Sequence, residues 1–202
     1  MPAPEPGERW GILGGVFDPV HFGHLTLARD VLGISNLNGV LLVPTCQPPH
    51  RSQQPAADFE DRIAMLRLAL VGRRGLEISR IEDATPRPSY TLQTVKALKQ
   101  AHPAVEFMFI IGADNLSQLQ TWHKWTDILR EVRLVVGCRP GASIGDLSAF
   151  PSGRIDLVET SEVDLSSTLV RERVKCGATR EELVTMVPAQ VADFILQRKL
   201  YQ

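Results

Sequence analysis

Several features that would assign this chain to a specialised class of protein are scarce among its 202 residues. There is no basic excess, because 22 lysines and arginines face 23 aspartates and glutamates for a net charge of -1. Proteins that bind duplex nucleic acid usually carry such an excess. No apolar run approaches the length of a membrane span, and no repeat or low-complexity tract is present. The sequence therefore argues against a nucleic-acid-binding or membrane protein.

Cysteine is also scarce. Cys46, Cys138 and Cys176 lie far apart, with no C-x-x-C pair and no zinc-ligand spacing. This pattern is typical of reduced thiols in a cytoplasmic protein, and it predicts no metal site built by the protein. Residues 1–9 are rich in proline and acid and lack the apolar run of a signal peptide, so they are interpreted as a disordered tail.

The whole chain has ordinary globular composition, with 44% hydrophobic and 22% charged residues. Short apolar runs alternate with amphipathic segments. Several runs lack polar alternation, which is typical of strands covered on both faces. The predicted strands are 10–16, 39–44, 77–81, 105–111, 132–138 and 155–159.

The segments between the runs have helical periodicity. Ile63, Leu66 and Leu70 share a helical face behind a cap at Asp58, and similar stripes follow Pro88 and Pro188. Thr179 and Glu182 fit a capping box. Strand and helix in alternation predict a single α/β domain, residues 10–202, with a doubly wound parallel sheet. Residues 141–153 are interpreted as a loop.

In a parallel sheet, ligands bind beyond the carboxyl ends of the strands. The sequence GGVFDPVHFGH, residues 14–24, follows the first predicted strand. Gly14 and Gly15 allow a ligand to approach the backbone closely. His21 and His24 are three residues apart, so at a helix start they face the same way and can bind the oxygens of a triphosphate. The alternative is that these histidines are a helix cap, a metal ligand or core residues.

A second anion-binding pattern lies near the end of the chain, in LSSTLVR, residues 165–171. Hydroxyl side chains at a helix start, with an arginine one turn later, can also bind phosphate. Taken alone, this segment is equally typical of a helix cap followed by a surface arginine.

The first segment resembles the H-x-G-H motif of adenylyl-transferring nucleotidyltransferases, and the second resembles their I-S-S-T-x-x-R signature. Further blocks appear in order between them: PTCQPPHR (44–51), PSYT (88–91), IIGAD (110–114), Trp122 and the RPG turn (139–141). Together they resemble the bacterial nicotinate-nucleotide adenylyltransferases over nearly the whole chain. The resemblance implies a Rossmann-like nucleotidyltransferase fold, with ATP and nicotinate mononucleotide as substrates and deamido-NAD and pyrophosphate as products.

The resemblance also implies roles for individual residues. His24, His21 and Arg171 would be the catalytic residues. The ATP-binding residues would be Gly14, Gly15, Phe17, His21, Gly23, His24, Ser167, Thr168 and Arg171. The residues that bind nicotinate mononucleotide would be Gly15, Thr45, His50, Thr91, Asp114, Trp122 and His123. The family uses Mg²⁺, which we expect to be bound mainly through the ATP phosphates because the motifs contain few carboxylates.

Three positions depart from the family pattern. Val16 replaces a threonine or serine, Thr45 replaces an asparagine, and His123 replaces a tyrosine. In the family's pattern, backbone N–H groups near Thr91 and His123 would receive the nicotinate carboxylate, while Trp122 would stack on the pyridine ring. Trp125 is predicted to be the core tryptophan.

Other functions are compatible with parts of the pattern. An adenylyltransferase acting on nicotinamide mononucleotide or phosphopantetheine would share H-x-G-H, and a non-catalytic nucleotide sensor would keep the same phosphate-binding residues. An RNA-binding module related to aminoacyl-tRNA synthetases is disfavoured by the absence of a basic aromatic stripe. The sequence leaves open whether the chain forms a homo-oligomer.

Overall fold

The computed structural model describes residues 4–49, 54–139, 141 and 147–202. Six strands form one sheet in which every neighbouring pair is parallel. The strands are β1 (Arg9–Gly15), β2 (Gly39–Pro44), β3 (Leu76–Ile78), β4 (Glu106–Gly112), β5 (Arg133–Cys138) and β6 (Ile155–Glu159). Each predicted apolar run overlaps one of them, and the third run, 77–81, extends three residues beyond the end of β3. This edge strand pairs only with β2, and the chain then turns into a 3₁₀-helix, Ile81–Ala84.

The helices alternate with the strands as predicted. They are α1 (Phe22–Ile34), α2 (Phe59–Ala69), α3 (Thr91–Ala101), α4 (Ala113–Leu116), α5 (Trp125–Glu131), α6 (Ser167–Lys175), α7 (Arg180–Leu183) and α8 (Ala189–Arg198). The Asp58 carboxylate caps α2 by accepting from the Asp61 N–H at 2.7 Å, and Thr179 and Glu182 form the predicted capping box at α7. A second 3₁₀-helix, Leu119–Thr121, lies between α4 and α5.

The strand order is β3-β2-β1-β4-β5-β6, so the sheet grows outward in one direction from β1 and in the other from β4. The switch in winding between these two central strands leaves a crevice at their carboxyl ends. The loop after β1 and the start of α1 contain the H-x-G-H segment, and β4 ends at Gly112, two residues before Asp114. The fold therefore brings the two segments to one place.

Both faces of the sheet are covered. Along β4, the side chain of Ile110 packs into a core with α1, α2 and α8, whereas Phe109 and Ile111 pack into a second core with α3 and α5. Successive side chains of a strand point to opposite faces, so an unbroken apolar strand supplies both cores. This is the predicted doubly wound architecture.

The chain joins the sheet earlier than the predicted tail boundary at residue 9. The backbone N–H of Gly7 donates to the Ala104 carbonyl at 2.8 Å, and the indole N–H of Trp10 donates to Glu8 at 2.7 Å. Arg9 already belongs to β1. The tail was therefore predicted too long, because hydrogen bonds to a distant segment cannot be recognised from composition. The described residues 141 and 147–153 form no helix or strand, as predicted for this loop.

Candidate active site

A cavity of about 1280 Å³ opens at the carboxyl ends of β1 and β4. Residues from both ends of the chain line it, and most of the predicted site residues are among them. These are Gly14, Gly15, His21, Gly23, His24, Thr45, Thr91, Asp114, Trp122, His123, Ser167, Thr168 and Arg171. His50 and Pro140 lie outside the described residues.

The Phe17 side chain does not line this cavity. It is 1% exposed, and its ring lies in the core that contains Leu13 and Val20. An ideal Cβ on Gly15 would lie 3.2 Å from the Phe17 ring, and the ring meets His24 edge-to-face with centroids 4.9 Å apart. Phe17 was predicted to bind ATP, but its side chain packs into the core against the loop and does not face the cavity.

The two motif histidines stack at the start of α1. His21 is the N-cap residue, and its ring centroid lies 3.8 Å from that of His24, with the planes tilted by 34°. The backbone N–H of His21 donates to Nδ1 of His24 at 3.3 Å. Because Nδ1 accepts this bond, the proton of a neutral His24 ring is assigned to Nε2. Nε2–H is then the donor that His24 can offer to an anion.

Burial keeps both rings neutral in the free protein. It lowers the pKa of His21 from 6.5 to about 4. Burial, together with the neighbouring His21, holds the pKa of His24 well below 6.5. A polyphosphate would favour the charged form of either ring and raise these pKa values. The two neutral histidines therefore offer N–H donors to an incoming anion. They become positively charged only when the anion is bound.

These pKa shifts predict a pH-dependent stability. Between pH 6.5 and 4 the unfolded chain binds a proton at His21 that the folded chain does not, so the free energy of unfolding falls as the pH is lowered. We expect a loss of about 2 kcal/mol from His21 between pH 7 and pH 5. Urea unfolding of the wild type and of His21→Asn at both pH values measures it. An equal pH dependence in the two proteins would contradict the assignment to His21.

Gly23 leaves room for the His21 ring. An ideal Cβ at this position would lie 2.9 Å from both Cε1 and Nδ1 of that ring, which is closer than real Cβ contacts allow. The same Cβ would lie 3.6 Å from the backbone carbonyl of Leu165, which belongs to the second motif. The two motifs are therefore in contact at Gly23.

The second motif forms the start of α6, where the Ser166 hydroxyl caps the helix by accepting from Leu169 N–H at 3.1 Å. The hydroxyl of Ser167 donates to the Pro19 carbonyl at 2.9 Å, so the proton of this side chain is already used. Thr168 accepts from Arg171 Nη2 at 3.2 Å, which leaves its own O–H as a donor. The motif can thus offer a phosphate the Thr168 hydroxyl and backbone N–H groups.

Arg171 connects the second motif to the first. Its Nη1 donates to the backbone carbonyl of Asp18 at 2.8 Å, across 153 residues of sequence, and lies 3.9 Å from the Asp18 carboxylate. About a third of its side chain remains exposed and lines the cavity. The guanidinium is therefore anchored at one end while donors remain for an anion.

Two aromatic contacts shape the other side of the cavity. Trp122 is partly buried and meets Phe109 edge-to-face at 6.2 Å, whereas His123 is exposed and stacks on Tyr90 with centroids 4.4 Å apart. Tyr90 immediately precedes α3, whose first residue is Thr91 and whose start has no side-chain cap. The stack therefore joins the Trp122 loop to a helix start that offers backbone N–H groups.

Trp125, the predicted core tryptophan, is only partly buried and packs edge-to-face on Phe150 at 5.8 Å. The buried tryptophan of that core is Trp10, which is 3% exposed. Trp122 touches the same core from the cavity side, so it combines a packing contact with an accessible surface. Asp114 follows β4 directly and is exposed in the cavity wall.

Sequence reasoning missed two buried charged residues that hold these loops. Arg62 is 1% exposed and donates to the carbonyls of Val16 at 2.6 Å and Thr45 at 2.9 Å. Its spacing of four from Leu66, on the predicted buried face of α2, was an available signal. Glu82 is 6% exposed and accepts from the Cys46 N–H and the Thr94 hydroxyl, and no sequence pattern indicates it.

Within residues 4–49, 54–139, 141 and 147–202, no helix is both long and apolar enough to cross a bilayer. The same part of the chain contains no group of three or more histidine, cysteine, aspartate or glutamate residues arranged to hold a metal ion.

The fold and the cavity together define a nucleotidyltransferase. A family model described as cytidylyltransferase-like matches residues 12–173. Among curated proteins, the chain is 37% identical over 200 residues to a probable nicotinate-nucleotide adenylyltransferase of Symbiobacterium thermophilum, covering 96% of this chain and 95% of the relative. It is 39% identical over 198 residues to one of Dehalococcoides mccartyi, covering 95% and 96%. The chain belongs to the cytidylyltransferase-like family and, within it, to the nicotinate-nucleotide adenylyltransferases.

Solved structures share the fold. One is the Plasmodium falciparum nicotinic acid mononucleotide adenylyltransferase complexed with NaAD, with a TM-score of 0.81 and 17% identity over 96% of this chain and 97% of that one. Another is a putative nicotinate-nucleotide adenylyltransferase of Vibrio parahaemolyticus, with a TM-score of 0.68 and 18% identity over 94% and 99%.

Proposed function

We propose that the protein transfers the adenylyl group of ATP to nicotinate mononucleotide, giving deamido-NAD and pyrophosphate in NAD biosynthesis. One observation carries this proposal. The histidine pair and Arg171, from opposite ends of the chain, line the same cavity, and Arg171 is hydrogen-bonded to the loop that presents the histidines. Three hydrogen-bond donors around one cavity suit a polyphosphate. Membership of the family indicates nicotinate mononucleotide as the adenylyl acceptor.

The reaction needs no nucleophilic side chain. A phosphate oxygen of the mononucleotide is already an anion at neutral pH and attacks the α-phosphorus of ATP, while the bond from that phosphorus to the pyrophosphate oxygen breaks. Negative charge grows on the departing pyrophosphate. Catalysis is then a matter of placing donors where that charge develops.

The protein's own residues supply those donors. His24 Nε2–H is assigned to the α-phosphate and the bridging oxygen, and His21 with Arg171 to the β- and γ-phosphates. Thr168 adds a hydroxyl, and the backbone of Gly14 and Gly15 permits close approach of the nucleotide. Among the described residues, the carboxylates that line the cavity are not grouped to hold a metal ion. This fits Mg²⁺ held by phosphate oxygens and water, where it would neutralise phosphate charge.

The acceptor is placed on the opposite side of the cavity. Trp122 presents an aromatic surface for the electron-poor pyridinium ring, an arrangement with cation–π character. Backbone N–H groups near Thr91 and His123 receive the carboxylate, and Asp114 and Thr45 contact the rest of the mononucleotide. Backbone donors suit an acid and leave the NH₂ of an amide facing other donors, so the acid is preferred.

The proposal is tested by offering ATP with each acceptor separately and measuring pyrophosphate release. Nicotinate mononucleotide is expected to be the best substrate, with nicotinamide mononucleotide much poorer and phosphopantetheine inactive. Equal rates with the two pyridine nucleotides would remove the carboxylate-binding role, and a preference for phosphopantetheine would overturn the function. ATP binding with no turnover on any acceptor would instead indicate a nucleotide sensor.

Removing the Trp122 ring is expected to affect the two substrates unequally. Trp122→Ala should raise the KM for nicotinate mononucleotide about tenfold, because an aromatic stack contributes roughly 0.5–2 kcal/mol, and should leave the KM for ATP within a factor of two. Trp122→Phe retains an aromatic face and should recover most of the loss. A similar rise in both KM values would assign Trp122 to packing alone.

The three cysteines are all free thiols, which supports a reducing, cytoplasmic location. The near-neutral charge of the chain supports small molecules rather than nucleic acid as partners. Whether identical subunits assemble is a question for light scattering.

A further inference from the structure

Tyr201, which follows α8, makes a polar contact far from its own part of the sequence. Its hydroxyl donates to Oδ1 of Asp18 at 2.8 Å, across 183 residues. The side chain is partly buried, and burial together with the Asp18 charge raises the pKa of Tyr201 well above 10. The hydroxyl therefore remains a neutral donor throughout the physiological range.

Asp18 lies in the cavity wall and is the centre of a buried polar cluster. The residue is 3% exposed, and its carboxylate also accepts from the backbone N–H groups of Ala56 at 2.7 Å and Ala57 at 3.1 Å. Buried carboxylates are retained when donors satisfy their oxygens. Of these three donors, Tyr201 is the only side chain, so a single substitution removes one donor and leaves the backbone bonds in place.

Asp18 also holds Arg171 in place. Arg171 Nη1 donates to the Asp18 carbonyl at 2.8 Å and lies 3.9 Å from its carboxylate. The buried guanidinium of Arg62 interacts electrostatically with the Asp18 carboxylate. A shift of Asp18 would therefore move the anchor of the cationic side chain that lines the cavity.

We propose that Tyr201 is a positioning residue for ATP binding, because its hydroxyl fixes Asp18 and Asp18 fixes Arg171. The inference rests on the proposed function only in that the cavity binds ATP, and it makes no use of the acceptor. Tyr201 is not among the residues that line the cavity. Its effect is expected in nucleotide affinity and not in acceptor affinity.

Tyr201→Phe tests this, because phenylalanine keeps the ring and removes only the donor. We expect the Kd for ATP, measured by calorimetry without acceptor, to rise about tenfold, as for the loss of one hydrogen bond to a charged group. The KM for nicotinate mononucleotide should stay within a factor of two. An unchanged ATP affinity, or equal rises for both substrates, would overturn the proposal.

A matched control lies in the preceding helix. Arg198, at the end of α8, forms an ion pair with Asp61 at 3.0 Å and does not contact Asp18. Arg198→Ala should leave the Kd for ATP unchanged. A rise comparable with that of Tyr201→Phe would show that loosening this end of the chain is enough, and would overturn the specific role of the hydroxyl.

A double-mutant cycle separates positioning from general stability. If Tyr201 acts through Arg171, then Tyr201→Phe should change the Kd for ATP by less than twofold when Arg171 is already methionine. A persisting tenfold effect would mean that Tyr201 acts by another route. This test measures ATP binding alone. A protein that binds ATP but transfers nothing to nicotinate mononucleotide would contradict the proposed function without affecting the test of Tyr201.

Discussion

Replacing His24 by alanine is expected to lower kcat by about 10²–10³, the usual cost of losing one donor aimed at developing charge. The His24 ring is oriented by the His21 N–H at its Nδ1, so its Nε2–H is the donor directed at the phosphates. Alanine removes this donor and retains the helix, because alanine is the best helix former. Circular dichroism and a pyrophosphate-release assay measure the two parts of the prediction.

The matched control is His102→Ala. His102 lies at the end of α3, near Phe107, and does not line the cavity. We expect kcat for this variant to stay within a factor of two of the wild type. A near-normal kcat for His24→Ala with an intact spectrum would remove His24 from the mechanism.

Gly23→Ala is expected to reduce kcat/KM by about 10–100-fold, although it adds one methyl group. That methyl would lie 2.9 Å from two atoms of the His21 ring, so the ring must move. Displacement of a catalytic group by a fraction of an ångström is sufficient for losses of this size. Steady-state kinetics and thermal unfolding of the purified variant provide the measurement.

The same helix contains its own control. Gly33 lies in α1, is exposed, and a Cβ there would meet nothing within 4 Å. Gly33→Ala should keep full activity and stabilise the protein by about 0.5–1 kcal/mol, the gain expected from alanine in a helix. If both variants lost the same activity, a general effect of glycine replacement in this helix would explain the loss, and contact with His21 would not.

The sheet was predictable because its signal is local. Buried parallel strands are continuous apolar runs, and the run at 39–44 matches β2 to the residue. The edge strand β3 was predicted too long because the chain leaves β2 after Ile78 and turns into the 3₁₀-helix Ile81–Ala84, a turn that no local pattern records. The attachment of Gly7 to Ala104 was missed for the same reason.

The residues of the site were likewise predictable only where their signal is local in the sequence. His21, His24 and Arg171 belong to compact motifs, so they were found from the sequence. Arg62 and Tyr201 act through contacts across 46 and 183 residues, and neither stands in a motif. Arg62 contacts Val16 and Thr45, and Tyr201 contacts Asp18. These contacts form only in the folded chain, so the sequence does not indicate them.

Phe17 shows that a position in a motif does not determine where the side chain points. It lies among residues that line the cavity, but its backbone has a positive φ of 51° and its ring turns into the core. The sequence does not indicate this rare conformation for a bulky residue. Ser167 is a related case, because its hydroxyl donates to Pro19 instead of remaining free for phosphate.

A crystal structure of the protein with Mg²⁺ and a non-hydrolysable ATP analogue tests the central claim most directly. We predict one triphosphate within hydrogen-bonding distance of His24 Nε2 on one side and of the Arg171 guanidinium on the other. A triphosphate that contacts only one of them, or that binds away from the carboxyl ends of β1 and β4, would contradict it.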